Sequence, residues 1–424
     1  MRLLVVGGGG REHALCWALR REDPSATIYC APGNPGTAEL ATNLDIAAVD
    51  IDRIADAADA FGVDLTIVGP EVPLAMGLAD RLRAEGRGVF GPSAAAAQIE
   101  ASKAFAKEIM QKAGVPTAAS RTFARLQDAQ EYIATHPEPL VVKASGLAAG
   151  KGAVVCTTRA EAADTVRSML DNGQFGDAGR VVVIEEFMEG EELSLFGIAD
   201  GRHVELLPAA QDHKRIGEGD TGPNTGGMGA YSPVSIGTSA LLDQARETVF
   251  GPTLHQLRRE GAPFHGLLYA GLMVDGAGRA RVVEFNCRFG DPESQVVLPL
   301  VSEGLTESLE RVARGDRVSE VRCRGSAAAV TTVLAAKGYP DTPEKGAEIR
   351  IPDSLPAGVT VFHAGTMRDG SGVLRVSGGR VLNVTAVAPT FAEAQRLSRA
   401  SAEAIEFEGK VFRRDIGWRE AGRL

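Results

Sequence analysis

The sequence predicts an α/β fold in three parts. These are an N-terminal doubly wound parallel α/β domain (1–102), a central two-lobed domain (103–326) and a smaller, mostly β C-terminal domain (327–424). Three observations predict it. Four short apolar runs in residues 1–92 each end in a Gly/Pro turn and alternate with helical patterns, as in a parallel sheet with helices on its faces. From about 117 to 187 the order becomes strand, helix, strand, and from about 192 to 301 strands dominate. Ala327 then opens a new run of strands with a final helix, Phe391–Glu406.

The elements follow in order. Leu3–Val6 runs into Gly7–Gly10 and a helix from Arg11. Thr27–Cys30 ends in Ala31-Pro32-Gly33-Asn34, Leu65–Val68 in Gly69-Pro70-Glu71, and Gly88–Phe90 in Gly91-Pro92. In such sheets ligands gather at the carboxyl ends of strands, where these turns fall. The first loop is not a dinucleotide motif: Glu12 stands where the third glycine would, and no acid closes the second strand. Its glycine amides at a helix start, with Arg11 beside them, suit a single phosphate; a tight turn without a ligand is the plain alternative. One helix is expected over about 94–113, closed by Gly114 and Pro116. Leu140–Lys143, Ala153–Cys156 and Val181–Ile184 read as strands, with a helix near Arg159–Asp171.

Composition narrows the function. The chain is 44% hydrophobic and 24% charged, which excludes wholesale disorder, and its net charge of −10 makes it a poor wrapper of nucleic acid. No apolar stretch approaches the roughly 20 residues of a membrane span, and the N-terminal run is too short for a signal-peptide core. The five cysteines, 16, 30, 156, 287 and 323, form no C-x-x-C pair, so reduced thiols in a cytoplasmic protein are expected. Glycine is 50 of 424 residues, about 12% against an ordinary ~7%, and it is clustered, which marks backbone brought close to a ligand. Only 9 of the 45 basic residues are lysine. Four of them, Lys103, Lys143, Lys151 and Lys214, fall in the distinctive segments, while Lys107 and Lys112 read as helix-surface residues.

Four segments carry chemistry. Lys143-Ala-Ser-Gly-Leu-Ala-Ala-Gly-Lys151-Gly152 lacks the spacing and the hydroxyl of a Walker loop, and reads as a small mobile hairpin able to close over a polyphosphate. Val181 to Glu192 is an apolar strand entering a cluster of acids, suited to accepting hydrogen bonds from adenine and ribose, or else a solvated acidic turn. In Arg281 to Glu293, alternation sets Glu284, Asn286 and Arg288 on one face and Val283, Phe285 and Cys287 in apolar packing. Glu284 and Asn286 suit Mg²⁺, and Arg288 a carboxylate or phosphate; a structural salt-bridge network is the alternative. Gln211 to Arg215, with the glycine-rich run to Tyr231, reads as a long polar loop with no regular element.

Taken together these segments resemble the ATP-grasp ligases, and within them the phosphoribosylamine–glycine ligase (glycinamide ribonucleotide synthetase) family. The likeness rests on Gly-Gly-Arg-Glu-His (9–13), Ala-Pro-Gly-Asn (31–34), Val-Gly-Pro-Glu (68–71), Ser-Lys-Ala-Phe (102–105), residues 146–152, 211–215, 222–231 and 284–293, and Phe-His-Ala-Gly-Thr (362–366), and it spans essentially the whole chain. It implies that ATP, glycine and 5-phosphoribosylamine give ADP, phosphate and glycinamide ribonucleotide, in purine synthesis, through glycyl phosphate. It implies catalytic roles for Arg288, Lys143, Lys151 and Asp212. ATP would be held by Lys103, Lys143, Gly146, Gly150, Lys151, Gly152, Glu185, Glu186, Met188 and Glu192, with adenine on 185, 186 and 188 and ribose on Glu192. Gly8, Gly9, Arg11, Asn34, Asp212 and Arg288 would hold the other substrates, and Glu284 and Asn286 would hold Mg²⁺ or Mn²⁺. A monomer acting on small molecules, without nucleic acid or membrane, is expected. The sequence departs from the pattern at Ser145, where the family usually has Asp, and Gly266–Val274 offers no metal carboxylate. Another purine ATP-grasp ligase, a biotin-carboxylase-like enzyme and a nucleotide-binding regulator with a dead site are the competing readings.

Overall fold

The computed structural model describes residues 1–148 and 151–423. Strands β1 (Arg2–Gly7), β2 (Thr27–Pro32), β3 (Thr42–Asn43), β4 (Leu65–Val68) and β5 (Val89–Phe90) form one sheet in the order β3-β2-β1-β4-β5. Every pairing in it is parallel. Helices α1 (Gly10–Glu22), α2 (Ile51–Ala60), α3 (Glu71–Ala75), α4 (Leu78–Ala84) and α5 (Ala94–Ala101) accompany it. Alternation within β1 shows the double winding: Leu4 and Val6 enter a core shared with α2 and α4, whereas Leu3 and Val5 enter a second core shared with α1.

The helix expected over 94–113 is two helices, α5 and α6 (Lys103–Ala113). Ser102 breaks it: its backbone is extended, at φ −136 and ψ 107, and its hydroxyl accepts the Phe105 N–H at 3.2 Å. That cap starts a new helix one residue on.

Strands β6 (Ser120–Phe123), β7 (Leu140–Ala144), β8 (Ala153–Cys156) and β9 (Val182–Glu186) form an antiparallel sheet in the order β6-β9-β7-β8. Helices α7 (Leu126–Thr135) and α8 (Arg159–Leu170) pack on one face, against Leu140, Val142, Ala144, Val182 and Ile184. The intervening residues, Lys143 and Glu185 among them, therefore leave on the other face.

The next region contains β10 (Glu191–Asp200), β11 (Val204–Leu206), β12 (Gln211–Asp212), β13 (Arg215–Gly217), β14 (Thr221–Asn224), β15 (Gly229–Ser232), α9 (Ser239–Ala245), α10 (Gly251–Arg259), β16 (His265–Val274), β17 (Ala280–Asn286), α11 (Ser294–Leu300), β18 (Val301–Glu303), α12 (Leu305–Ala313) and β19 (Arg322–Cys323). Its main sheet is antiparallel, in the order β11-β10-β16-β17. The glycine-rich run is regular where none was expected: β13 and β14 form a ribbon. Each strand of that ribbon has a single neighbour, so Pro223 and the glycines deprive no second strand of a hydrogen bond.

The chain ends with β20 (Ala328–Ala335), β21 (Val359–His363), β22 (Thr366–Arg368), β23 (Leu374–Val376), β24 (Arg380–Ala388), α13 (Phe391–Ala404) and α14 (Trp418–Ala421). The sheet β12-β15-β20-β24-β21 carries strands from both sides of residue 326, with Tyr231 opposite Val330. The glycine-rich run is thus fastened to the C-terminal region by a β-ladder. Among the described residues, no helix is long and apolar enough to cross a membrane.

Candidate active site

On β7 and β9, Val141 stands opposite Glu185 and Lys143 opposite Val183, which makes Lys143 and Glu185 diagonal neighbours on one face. Lys143 Nζ lies 2.9 Å from Glu185 Oε2 and donates to the Val283 carbonyl at 3.1 Å. Lys107 on α6 reaches Glu185 Oε1 at 3.0 Å and donates to Thr117 Oγ1 at 2.8 Å. Lys107 is therefore buried, not the surface residue that its helix position suggested. Its stem is covered and its charge is matched by a strand distant in sequence. Glu185, expected against adenine, is itself buried, and both its oxygens face ammonium groups. Its carboxylate fixes two lysines and is not left free to meet a base.

Lys103 opens α6, with Nζ 3.5 Å from the Gly146 carbonyl. Burial, then Lys143, hold it below the ordinary lysine value against the pull of Glu284. Ser145, which the sequence left without a role, anchors this turn. Its carbonyl accepts the Lys103 N–H at 2.8 Å and its hydroxyl accepts the Ala104 N–H at 3.1 Å.

A bulge shapes β17. The register with β16 shifts between Gly271, opposite Glu284, and Leu272, opposite Val282, so Val283 is the extra residue. Val282, Phe285 and Cys287 join the core, and Val283, expected there, does not. Glu284 and Asn286 share the face turned to the lysines. Burial raises the Glu284 carboxyl, but Lys214, Lys143, Lys103 and Arg288 outweigh it and hold the group below the ordinary glutamate value. Across β16, Gly271 faces Glu284 and Tyr269 faces Asn286, so the neighbouring strand supplies no acid. Among the described residues no three His, Cys, Asp or Glu side chains gather as a metal site. One carboxylate kept ionised by cations, with one amide oxygen, fits a divalent ion that draws its remaining ligands from phosphate and water.

Asp212 and Lys214 border the same space. Lys214 pairs with Glu192. Burial opposes its charge, but Glu192, Asp212, Tyr269 and Glu284 raise its pKa well above the ordinary value. Asp212 is pushed up to about 7 by burial and by Glu293 and Glu192, with Lys214 opposing. The sequence did not reveal the buried polar trio beside it: Ser194 Oγ and Tyr269 Oη stand 2.9 Å apart, each 3.4 Å from Glu293 Oε1. Ser194 lies on β10, Tyr269 on β16 and Glu293 at the start of α11, so only the folded chain brings them together. Glu186 accepts the Ala119 N–H at 3.0 Å and pairs with Arg281; Met188 is buried beside it in sequence.

Arg288 already holds two carboxylates of the N-terminal domain. Its Nη2 lies 2.8 Å from Glu100 Oε1 and its Nε 3.3 Å from Glu71 Oε2, while Nη1 donates to the Phe289 carbonyl at 3.2 Å. Nη1 and Nη2 each keep one further N–H for a ligand. Glu100 and Glu71 were not singled out from the sequence; they lie far from Arg288 along the chain.

In the N-terminal loop, Glu12 accepts the Gly9 N–H at 2.7 Å and the Arg11 Nε–H at 2.5 Å. Arg11 also donates to the Phe289 carbonyl at 3.1 Å. A carboxylate thus already occupies part of the loop expected to hold phosphate, and Arg11 is drawn toward it. Asn34 is fully engaged. Its Nδ2 donates to Gly8 O at 3.0 Å and His363 O at 2.9 Å, and its Oδ1 accepts from Gly36 at 2.8 Å and Thr37 at 3.0 Å. With no free donor or acceptor, its amide shapes the loop instead of meeting substrate, which corrects its expected place among the substrate contacts. Gly8 packs so tightly that a Cβ would lie 2.7 Å from the Gly33 carbonyl.

Of the expected lid, Gly150 lies outside the described residues. Lys151 is half exposed, with Nζ 3.1 Å from the Pro340 carbonyl. Gly146 and Gly152 are required for space: an added Cβ would lie 2.6 Å from Ala178 Cα and from Ala148 Cβ, respectively.

Two antiparallel sheets flank a space lined by Lys103, Lys143, Lys214 and Glu284, beside a parallel N-terminal sheet. These define an ATP-grasp fold. The phosphoribosylglycinamide synthetase N domain matches residues 1–100, the ATP-grasp (A) domain of that synthetase 101–294, and its C domain 329–419. Phosphoribosylamine–glycine ligases of Xanthomonas axonopodis pv. citri and Nostoc sp. are 45% and 47% identical, over 100% and 99% of this chain and 99% of each relative. The crystal structure of the Thermotoga maritima phosphoribosylamine–glycine ligase aligns with a TM-score of 0.86 at 34% identity, covering 98% of this chain and 100% of that one. The chain belongs to the phosphoribosylamine–glycine ligase family. The fold reaches further: biotin carboxylase from Campylobacter jejuni aligns over 97% of this chain and 92% of its own, with a TM-score of 0.74 at 15% identity.

Proposed function

We propose that the chain joins glycine to 5-phosphoribosylamine at the expense of ATP, giving glycinamide ribonucleotide, ADP and phosphate, in purine biosynthesis. Its end-to-end identity of about 45% to ligases of that name carries the reading. The site's chemistry supports it.

Lys143, Lys103 and Lys214 offset the charge of the triphosphate, and Lys151 follows the lid onto it. Glu186 and Met188 meet adenine through backbone, and Glu192 meets the ribose. Glu284 and Asn286 hold Mg²⁺ or Mn²⁺, which supplies charge neutralisation at the phosphates. Glycine's carboxylate oxygen bonds to the γ-phosphorus as the bond to ADP's bridging oxygen breaks. The ribosylamine nitrogen then bonds to the carbonyl carbon of glycyl phosphate, phosphate leaves, and the amine sheds a proton that we assign to Asp212. Arg288, through its free N–H groups, stabilises the charge on oxygen. Gly8, Gly9 and Arg11 border the place for the 5-phosphate. The acyl phosphate is easily hydrolysed, so a closing lid protects it. We place the enzyme in the cytoplasm as a monomer working on small molecules.

The test is ADP release by the purified chain with Mg²⁺ or Mn²⁺. ADP should form steadily only when glycine and phosphoribosylamine are both present. Turnover with bicarbonate and biotin in their place would reject the reading in favour of a carboxylase.

A further inference from the structure

His213 lies between Asp212 and Lys214 in sequence, and its ring reaches the C-terminal segment. It is fully buried, and its Nε2 accepts the Gly417 N–H at 2.8 Å. An accepting Nε2 carries no proton, so in the neutral ring the hydrogen sits on Nδ1. Among the described residues Nδ1 has no hydrogen-bond partner; it faces Asp220 Oδ1 at 3.7 Å, beyond a hydrogen bond, so the carboxylate acts on it through charge. Among the described residues Asp220 is the one non-glycine residue with positive φ, at 56. Such a conformation persists where the surroundings fix it. Here Arg413 Nη1 holds Asp220 Oδ1 at 2.8 Å and Arg419 Nη2 holds Oδ2 at 2.6 Å.

Arg413 has no exposed surface, and it is held in turn by Asp415 at 2.7 Å while donating to the Arg215 carbonyl at 3.1 Å. Asp415 also accepts the Gly219 N–H at 2.8 Å. On its other side the His213 backbone is stitched to the glycine-rich run, through Met228 N–H at 2.7 Å and Gly229 O at 2.9 Å. A segment more than 110 residues beyond the ATP-grasp (A) domain match thus grips the loop that carries Asp212 and Lys214.

We propose that residues 413–419 form a positioning clamp for the ligase reaction, acting through His213: the imidazole, wedged between the Gly417 amide and the Asp220 carboxylate, fixes Asp212 and Lys214 in the site. The proposal rests on the reading that Asp212 and Lys214 work there. His213 touches no substrate and is a positioning residue. Small displacements of reacting groups are costly to rate, on the order of 100-fold per ångström.

The test is steady-state kinetics of the full chain. His213→Ala, and Asp220→Gly, which accepts the same backbone conformation, should each lower kcat on the order of 10–100-fold. His213→Gln retains an acceptor for Gly417 and an N–H for the Asp220 charge, and should recover most of that loss. In an Asp212→Asn background, His213→Ala should cost much less than it does alone, because the residue it positions is already disabled. Unchanged kcat in folded variants, no rescue by glutamine, or a full independent loss on top of Asp212→Asn would each overturn the clamp. If His213→Ala does not fold, Asp220→Gly, alone and in the Asp212→Asn background, makes the same comparison. If Asp212→Asn and Lys214→Ala both turn over normally, the site reading itself fails, and the clamp with it.

Discussion

Lys107 and Glu185 are joined at 3.0 Å inside the protein, only 8% and 2% exposed, and the other oxygen of Glu185 meets Lys143 at 2.9 Å. One carboxylate between two ammonium groups leaves a net positive charge on this wall of the cleft, where a triphosphate would lie. Lys107→Met keeps the apolar stem and deletes the charge, so that Glu185 draws on Lys143 alone. Removing one partner of a buried pair costs about 3 kcal/mol. We expect a loss of that order in urea unfolding, together with a several-fold rise in KM for ATP. Wild-type stability with wild-type KM would show the pair to be incidental.

Much of the fold was legible because it follows from local pattern. The strand at Ala153–Cys156 was expected and found, and the double winding shows in the Gly/Pro turns after each apolar run. What escaped depends on partners distant in sequence. Ser102 breaks a helix within an alanine-rich window that hides its cap, and the bulge at Val283 disrupts an alternation that looked regular. Lys107 appears solvent-facing until β9 supplies Glu185, and Ser145 gains its role only once α6 begins against it. Asn34 stood in a turn suited to a ligand, yet the loop's own backbone uses its amide completely.

Glu284 stands among four cations and opposite a glycine, so no neighbouring acid on β16 can replace it. Glu284→Gln keeps the shape and removes the charge that would hold the metal. Turnover should fall at least on the order of 100-fold, with the Mg²⁺ requirement shifted upward and the unfolding transition little changed. A magnesium titration that superimposes on wild type would reject Glu284 as a ligand.

The N-terminal loop should govern phosphoribosylamine and leave ATP alone. A methyl group on Gly8 would stand 2.7 Å from the Gly33 carbonyl, a backbone atom that cannot swing aside. Gly8→Ala therefore forces the loops after β1 and β2 apart. KM for phosphoribosylamine should rise about tenfold or more, equivalent to at least ~1.4 kcal/mol of lost binding, while KM for ATP stays put. A rise in the ATP value instead would put the wrong substrate at this loop.

His13 and His363 tie the N-terminal and C-terminal parts together, with His13 Nδ1 accepting the His363 N–H at 2.8 Å. Burial, with His363 adding, lowers His13 to about 3, and burial, with Arg368 adding, lowers His363 to about 4. Unfolded histidine titrates near 6.5. Both rings stay neutral in the fold while the unfolded chain takes up protons, so the stabilisation present above about pH 6.5 declines as pH falls and is lost through the folded values. Two such groups give a slope of up to ~2.7 kcal/mol per pH unit below pH 6. Urea midpoints measured from pH 7 to 5 should fall steeply. His13→Asn, which keeps an acceptor for the His363 N–H, should remove about half of that slope; an undiminished slope would clear His13 of responsibility.

The last prediction concerns the chemical step. A carboxylate cannot pass directly to an amide, because oxide is too poor a leaving group. Phosphorylation by ATP turns that oxygen into part of a phosphate, and the nitrogen can then displace it. A covalent enzyme intermediate would be the alternative, and Cys287 is the thiol nearest to the reacting face in sequence. It points into the core beside Phe285, and burial and Glu100 hold its thiol well above the ordinary value. A thiol kept protonated in that way is a poor nucleophile. With both carboxylate oxygens of glycine enriched in ¹⁸O, one labelled oxygen should therefore appear in each phosphate released, and Cys287→Ala should remain active. Phosphate free of label would overturn the acyl phosphate; labelled phosphate released by a folded Cys287→Ala enzyme that makes no amide would instead insert a thioester between the acyl phosphate and the product.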